Sequence, residues 1–229
     1  PVVDRENRLV GIVTVDDAID VIMEEATEDI EKMAAILPSD KPYFKTGVFS
    51  TFKARIPWLM LLMISATLTG AIISSFEEKL TLFPALIAFI PMLMDTAGNC
   101  GSQASVTVIR AISLGDTRFK DIFKVIWKEI RVAFVCGVAL CAVNFVKLYL
   151  FDHLVMGSFD VGRQFLEIGI VCMTLFFTIQ VAKIVGCTLP ILAKKLGFDP
   201  AVMASPFITT TVDAISLSIY FTLAVLLLK

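Results

Sequence analysis

The sequence predicts an all-α polytopic membrane protein with five spanning helices and a short cytoplasmic region ahead of them. Three observations carry this. Of 229 residues, 57% are hydrophobic, and the mean hydropathy is +0.82, which takes the chain out of the range of ordinary soluble domains. Five apolar stretches each reach the ~20 residues that a ~30 Å hydrocarbon core requires. Acidic residues collect ahead of the first stretch, while one, Asp213, lies inside the last. With a net charge of −2 there is no basic field for nucleic acid.

The first element is a pair of short strands. Residues 1–15 alternate a β-branched run, a polar turn and a second β-branched run. Thr14 then caps a helix over Val15–Ile36 that is strongly acidic. Asp16, Asp17, Asp20, Glu24, Glu25, Glu28, Asp29 and Glu31 follow one another with no Lys or Arg among them. Eight carboxylates without a counter-charge repel one another, so bound divalent cations would relieve them, although each acid singly suits a solvated face. Pro38 and Pro42 end the helix, and an amphipathic basic-aromatic stretch, Tyr43–Arg55, leads into the membrane. The expected division is 1–22, 23–56 and a membrane domain over 57–229.

The spans are expected at 57–76, 81–112, 130–151, 165–193 and 201–228. Lys41, Lys45, Lys53 and Arg55 precede the first, and Arg110, Arg118, Lys120, Lys124, Lys128 and Arg131 cluster between the second and third. The opposite side offers only Lys79, Arg163 and Lys229. The positive-inside rule therefore places the N-terminal region in the cytoplasm and, across an odd number of spans, the C-terminus outside the cell membrane. The chain begins at Pro1 in strand-like sequence, as the C-terminal part of a longer protein would. Cys100, Cys136, Cys141, Cys172 and Cys187 read as small buried hydrophobes. His153, in a loop, gets no role.

Two spans carry unusual chemistry. In the fifth, Ser205, Thr209, Asp213, Ser216 and Tyr220 recur every three or four residues and fall on one helical face. An intramembrane carboxylate is costly and marks a functional site unless it is a structural acid bonded to a neighbour. In the second, Asp95 to Ala104 is a run of small and polar residues that must be buried in protein or line water. Asp95, Asn99 and Ser102 share a face. Gly98 and Gly101 allow close backbone approach, to an ion or to another helix. Asp95 serves equally as a brace for this stretch. Two acidic helices with hydroxyls and amides beside them make a cation-selective lining. Mg²⁺ prefers hard oxygens and gives up its waters reluctantly, so a few such groups can hold it through its hydration shell. One Asp213 per chain makes a homodimer, with the path on its axis, the simplest closed arrangement. The rivals are a secondary transporter, in which Asp95 or Asp213 carries a proton or coupling ion, and a membrane-embedded hydrolase using an aspartate pair.

The segments PMLMDTAGNCGSQA (91–104), LGD (114–116) and GFDPAVMASPFITTTVDA (197–214), with PVVD…LVGIVTVDDAIDVI and EEATEDI ahead of them, resemble the MgtE family of magnesium channels. That resemblance implies a Mg²⁺-selective channel, open to magnesium uptake down its gradient and closed by cytoplasmic Mg²⁺, with no enzymatic activity. It also implies that 1–22 is the end of a cystathionine-β-synthase-type (CBS) regulatory domain and that 23–56 holds a plug helix. Any nucleotide binding would fall to the missing CBS part. Matched position by position, Asp213 is the pore aspartate, Ser205 and Thr209 line the pore, and Gly98 and Asn99 lie in the second-helix motif. Asp199 sits at the cytoplasmic mouth, while Asp16, Asp17, Asp20, Glu25, Glu28 and Asp29 belong to the regulatory cation segment. Ala97-Gly98-Asn99 stands where the family usually has Gly-Gly-Asn, and Gly101-Ser102-Gln103 where it has Gly-Asn-Gln.

Overall fold

The computed structural model describes residues 1–39, 42–80, 84–151, 161–203 and 205–227. His153 lies outside them, as does the side chain of Ser205. The chain opens with an antiparallel pair, β1 (Val2–Val3) and β2 (Leu9–Gly11), in which Val2 pairs with Gly11 and Val3 with Leu9. Asp4 shapes the turn by accepting the Glu6 and Arg8 N–H groups at 2.8 and 2.9 Å, and Asn7 takes the left-handed backbone its type tolerates (φ 59°).

Helix α1 (Val15–Met33) starts on a capping box: the Asp17 N–H donates to Thr14 Oγ1 while the Thr14 N–H donates to the Asp17 carboxylate. It ends at Ala35 (φ 55°), where the Ile36 N–H reaches back to the Glu31 carbonyl and the Ala35 N–H to that of Lys32. A 3-10 turn (Tyr43–Lys45) leads to α2 (Val48–Leu80), which runs continuously through Pro57. Pro57 has no N–H to give the preceding turn, and in that turn the Ala54 carbonyl accepts the Leu37 N–H at 2.9 Å. From Val48 onward the basic-aromatic lead-in and the first span are thus one helix.

The second stretch is two pieces, α3 (Pro84–Ile87) and α4 (Ile90–Ser113), with Pro91 in the first turn of α4, where a missing N–H costs nothing. Helices α5 (Ile122–Phe151), α6 (Val161–Lys195) and α7 (Ser205–Leu227) follow, α7 preceded by a 3-10 turn over Pro200–Met203. The LGD motif is a helix stop: Gly115 is left-handed (φ 76°) and the Asp116 N–H caps the Ala111 carbonyl at 2.9 Å. Gly197 (φ 83°) does the same for α6, with the Phe198 N–H on the Ala193 carbonyl at 2.9 Å.

Five spans were expected, and four helices among the described residues are long and apolar enough to cross a membrane: Val48–Phe76, Phe119–Leu150, Phe165–Lys195 and Pro200–Leu227. Helix α4 has the length, 24 residues or about 36 Å, but its polar run lowers its hydropathy. Burial compensates. Packing is most extensive between α4 and α6, then between α5 and α6 and between α4 and α7. The core gathers Leu93, Ala97, Ile170, Ile179, Ile208, Val212 and Phe221 at this junction. Helix α2 stands at the edge, with Phe76 against Phe221 of α7.

Candidate functional site between α4 and α7

Helices α4 and α7 run antiparallel, and two contacts fix their register. Gly98 lies against Thr209, so close that a Cβ there would stand 3.0 Å from Thr209 Cγ2. One end of the pair is tied by Ser105 Oγ, which donates to the Met203 carbonyl at 3.1 Å. Stepping one turn from Gly98 toward the start of α4, and one turn from Thr209 toward the end of α7, reaches Asp95 and Asp213. The two acids that the sequence singled out separately therefore belong to one place. Asp213 lies about 12 Å along α7 from Ser205, well inside the span.

Gly98 is buried, Asp213 and Thr209 are half-buried, and Asp95 and Asn99 are exposed on the flank of the chain. The Thr209 hydroxyl donates to the Pro206 carbonyl at 3.0 Å, leaving its oxygen lone pairs available as acceptors. Ser216 and Tyr220, on the same predicted face, are instead buried at 1% and 0% exposure. Tyr220 donates its phenol to the Leu86 carbonyl at 2.8 Å. The polar stripe of α7 thus divides into a site half and a structural half.

A second cluster forms where α1 meets the turn before α7. The α6 stop at Gly197 brings out Asp199, whose Oδ1 accepts the Ala201 N–H at 2.9 Å and caps the 3-10 turn. Its Oδ2 accepts Lys32 Nζ at 2.6 Å, and the same ammonium contacts Glu28 at 2.5 Å. Burial would raise the Asp199 carboxyl, but the Lys32 hydrogen bond, the Ala201 N–H and the Lys32 charge together hold it below the usual range. Hydrogen bonds to Asp199 and Glu28 push Lys32 up. Asp29 is raised, first by burial and then by the Asp199 charge.

Lys32 was missed by a count of acids that ended at Glu31, and it corrects the expectation that these carboxylates have no counter-charge. Glu28 and Asp29 gather with Asp199. Asp16, Asp17 and Asp20 lie about 18–24 Å up the helix from Lys32, too far to share one ion with Asp199. Asp17 is engaged in the cap, which lowers it through the Thr14 hydroxyl and N–H. Glu25 is exposed. Among the described residues no three His, Cys, Asp or Glu side chains converge as a metal-holding group.

A third charged pair also escaped sequence reading, because Glu129 is hidden among Lys128 and Arg131 while Lys183 stands alone in an apolar stretch. Glu129 of α5 and Lys183 of α6 face each other at 3.6 Å, 7% and 4% exposed.

A family model described as a divalent cation transporter, MgtE, matches residues 90–223, from the start of α4 nearly to the end of α7. The whole chain is 37% identical to the magnesium transporter MgtE of Thermus thermophilus over 229 residues. It is 39% identical to that of Bacillus subtilis over 225 residues, 98% of the chain. The Enterococcus faecalis magnesium transporter MgtE is 32% identical over the full chain. The chain covers 48%, 47% and 48% of these relatives, about half their length. All three are named as transporters, and with the family model falling on the helices that build the site, this chain belongs to the MgtE family of divalent cation transporters.

Proposed function

We propose that this chain is the membrane part of a homodimeric Mg²⁺ channel that admits the ion down its electrochemical gradient through a path lined by α4 and α7. The observation that carries the reading is the polar face of Asp95, Asn99, Thr209 and Asp213. It lies at membrane depth, yet half of it is open on the flank of a single chain. Carboxylates and amides do not face lipid, and a second copy across a two-fold axis would enclose them and double the Asp213 charge. A wide, water-filled path with few carboxylates suits a cation that keeps most of its hydration shell. Ser205, Gly98 and Asp95 complete the lining in this reading. The relatives' names support magnesium as the ion. They also leave the hydrolase alternative without support.

The N-terminal region then faces the cytoplasm, residues 1–22, which include the start of α1, end a CBS domain, and 23–56 holds a plug whose docking on Asp199 at the mouth, through the second half of α1, favours closure. Asp16, Asp17, Asp20, Glu25, Glu28 and Asp29 would sense cytoplasmic Mg²⁺ together with parts of the protein upstream of Pro1. Opposed carboxylates also suit a coupled transporter, so two measurements are needed. Asp213→Ala, in the full-length protein, should abolish Mg²⁺ uptake into liposomes while the protein still assembles. Bilayer recording should show Mg²⁺ current with no counter-ion gradient. Normal uptake by Asp213→Ala would remove the central residue, and dependence on a counter-ion would replace the channel by an exchanger.

A further inference from the structure

The proposed path makes no use of Glu129 and Lys183, although burying such a pair inside spanning helices is expensive and breaking it leaves an uncompensated charge. What the pair does follows from its place on α6. Helices α5 and α6 are antiparallel, with Gly137 against Phe176, whose ring would stand 2.9 Å from an added Cβ, and with Cys141 Sγ donating to the Cys172 carbonyl at 3.0 Å. In each contact the two residue numbers add to the same total within one, and Glu129–Lys183 continues that register by two further turns. Residues 172, 176 and 183 are therefore the side of α6 that faces α5.

The side that faces α4 is different. There Gly186 meets the Gly101 backbone, and the Ala182 carbonyl oxygen lies 3.2 Å from where a Gly101 Cβ would be. That same Gly101 Cβ position is also hemmed in by Ile208 and Val212 of α7, at 2.8 and 3.3 Å. Apolar contacts between spanning helices are weakly directional, because lipid tails are as apolar as Leu. A charged pair is directional, and it sits one residue from Ala182.

We infer that Glu129 and Lys183 are a positioning pair for the cation path. The pair sets the roll of α6, so that Ala182 and Gly186 seat Gly101 and hold the Asp95–Gln103 face of α4 against Thr209 and Asp213. This rests on the proposed path for its functional consequence, but not for its structural one.

The test uses the full-length protein in liposomes with Glu129→Gln, Lys183→Met and the exchanged pair Glu129→Lys/Lys183→Glu. Two quantities are read per folded molecule: the Mg²⁺ concentration for half-maximal uptake, and amide exchange over residues 95–105. Each single variant should raise both at least about tenfold, since it leaves the other charge buried without its partner, and the exchanged pair should bring both back to within about threefold of the parent. Lower yield with parental half-saturation and exchange would make the pair merely structural and overturn the inference. An exchanged pair no better than the singles would do the same. Where the singles do not accumulate, the exchanged pair decides alone. If Asp213→Ala transports normally, the path reading fails, while the exchange data still judge the pair.

Discussion

Among the described glycines, Gly186 is the one where an added carbon meets the closest obstacle. A Cβ there would run into the Gly101 carbonyl oxygen and lie 2.9 Å from the Gly101 carbonyl carbon and 3.1 Å from its Cα. Carbon–carbon contacts settle at about 3.5–4.0 Å, so relieving the carbonyl carbon alone requires Gly186→Ala to separate α4 from α6 by at least roughly 0.6–1.1 Å, and the nearer oxygen requires no less. Both obstructing groups are backbone, and no side-chain rotation relieves them. Overpacking of this kind costs about 1–3 kcal/mol, or a loss of about 2–12 °C in Tm for a chain of this size. The displacement is aimed at function too. Helix α4 is held between α6 and α7, and moving it disturbs the contact of Gly98 with Thr209 one turn from Asp213. Thermal melting in detergent and Mg²⁺ uptake in liposomes should both fall. Gly169→Ala, on the same helix with nothing within 4 Å of its Cβ position, should be neutral or slightly stabilising. Parental melting and uptake in Gly186→Ala would refute the close approach of the two backbones.

Two further outcomes follow from other contacts. Tyr220→Phe removes the phenol from the Leu86 carbonyl, which keeps the Phe89 N–H at 3.2 Å, for a loss of about 0.5–1.5 kcal/mol read as a lower Tm. Docking of α1 on the turn before α7, measured by amide exchange in α1, should depend on acid in two opposite ways. Asp29, raised by burial and by the Asp199 charge, opposes docking while ionised, so protection should first improve as pH falls through its raised value. Asp199 is held low by Lys32; its contribution is complete above the unfolded value near 3.9 and is lost as pH falls through the lower folded one. Lys32, raised by Asp199 and Glu28, keeps its contribution up to alkaline pH. Lys32→Met should abolish the acid loss and weaken docking by about 1 kcal/mol, discounted for partial exposure. A loss of protection centred between about pH 6 and 8 would contradict these assignments.

Much of this architecture was legible because the bilayer imposes strong rules. Length and apolarity mark the helices, Asp213 stands out as a charge in an apolar run, and Gly115 and Gly197 end helices as left-handed caps. What stayed hidden depends on long-range register. Gly186 sits in an apolar stretch and announces nothing until Gly101 is placed beside it. Lys183 and Glu129 lie 54 positions apart, and nothing local to either points to the other. Asp95 gains meaning once antiparallel packing sets it level with Asp213. Pro57 misleads in the other direction: it reads as the start of a span, whereas the preceding turn continues through it.

The poor hydropathy of α4 has a consequence for how the protein is made. A helix bearing Asp95, Asn99 and Gln103 has little reason to leave the insertion machinery for lipid by itself, and the surfaces that shelter it, on α6 and α7, are synthesised later. At roughly 5–20 residues per second, about 6–23 s pass between completing α4 and completing α7. Through that interval the helix must be held at the translocon or by a chaperone within the membrane, and a nascent chain stalled before α7 is the species from which misinsertion would start.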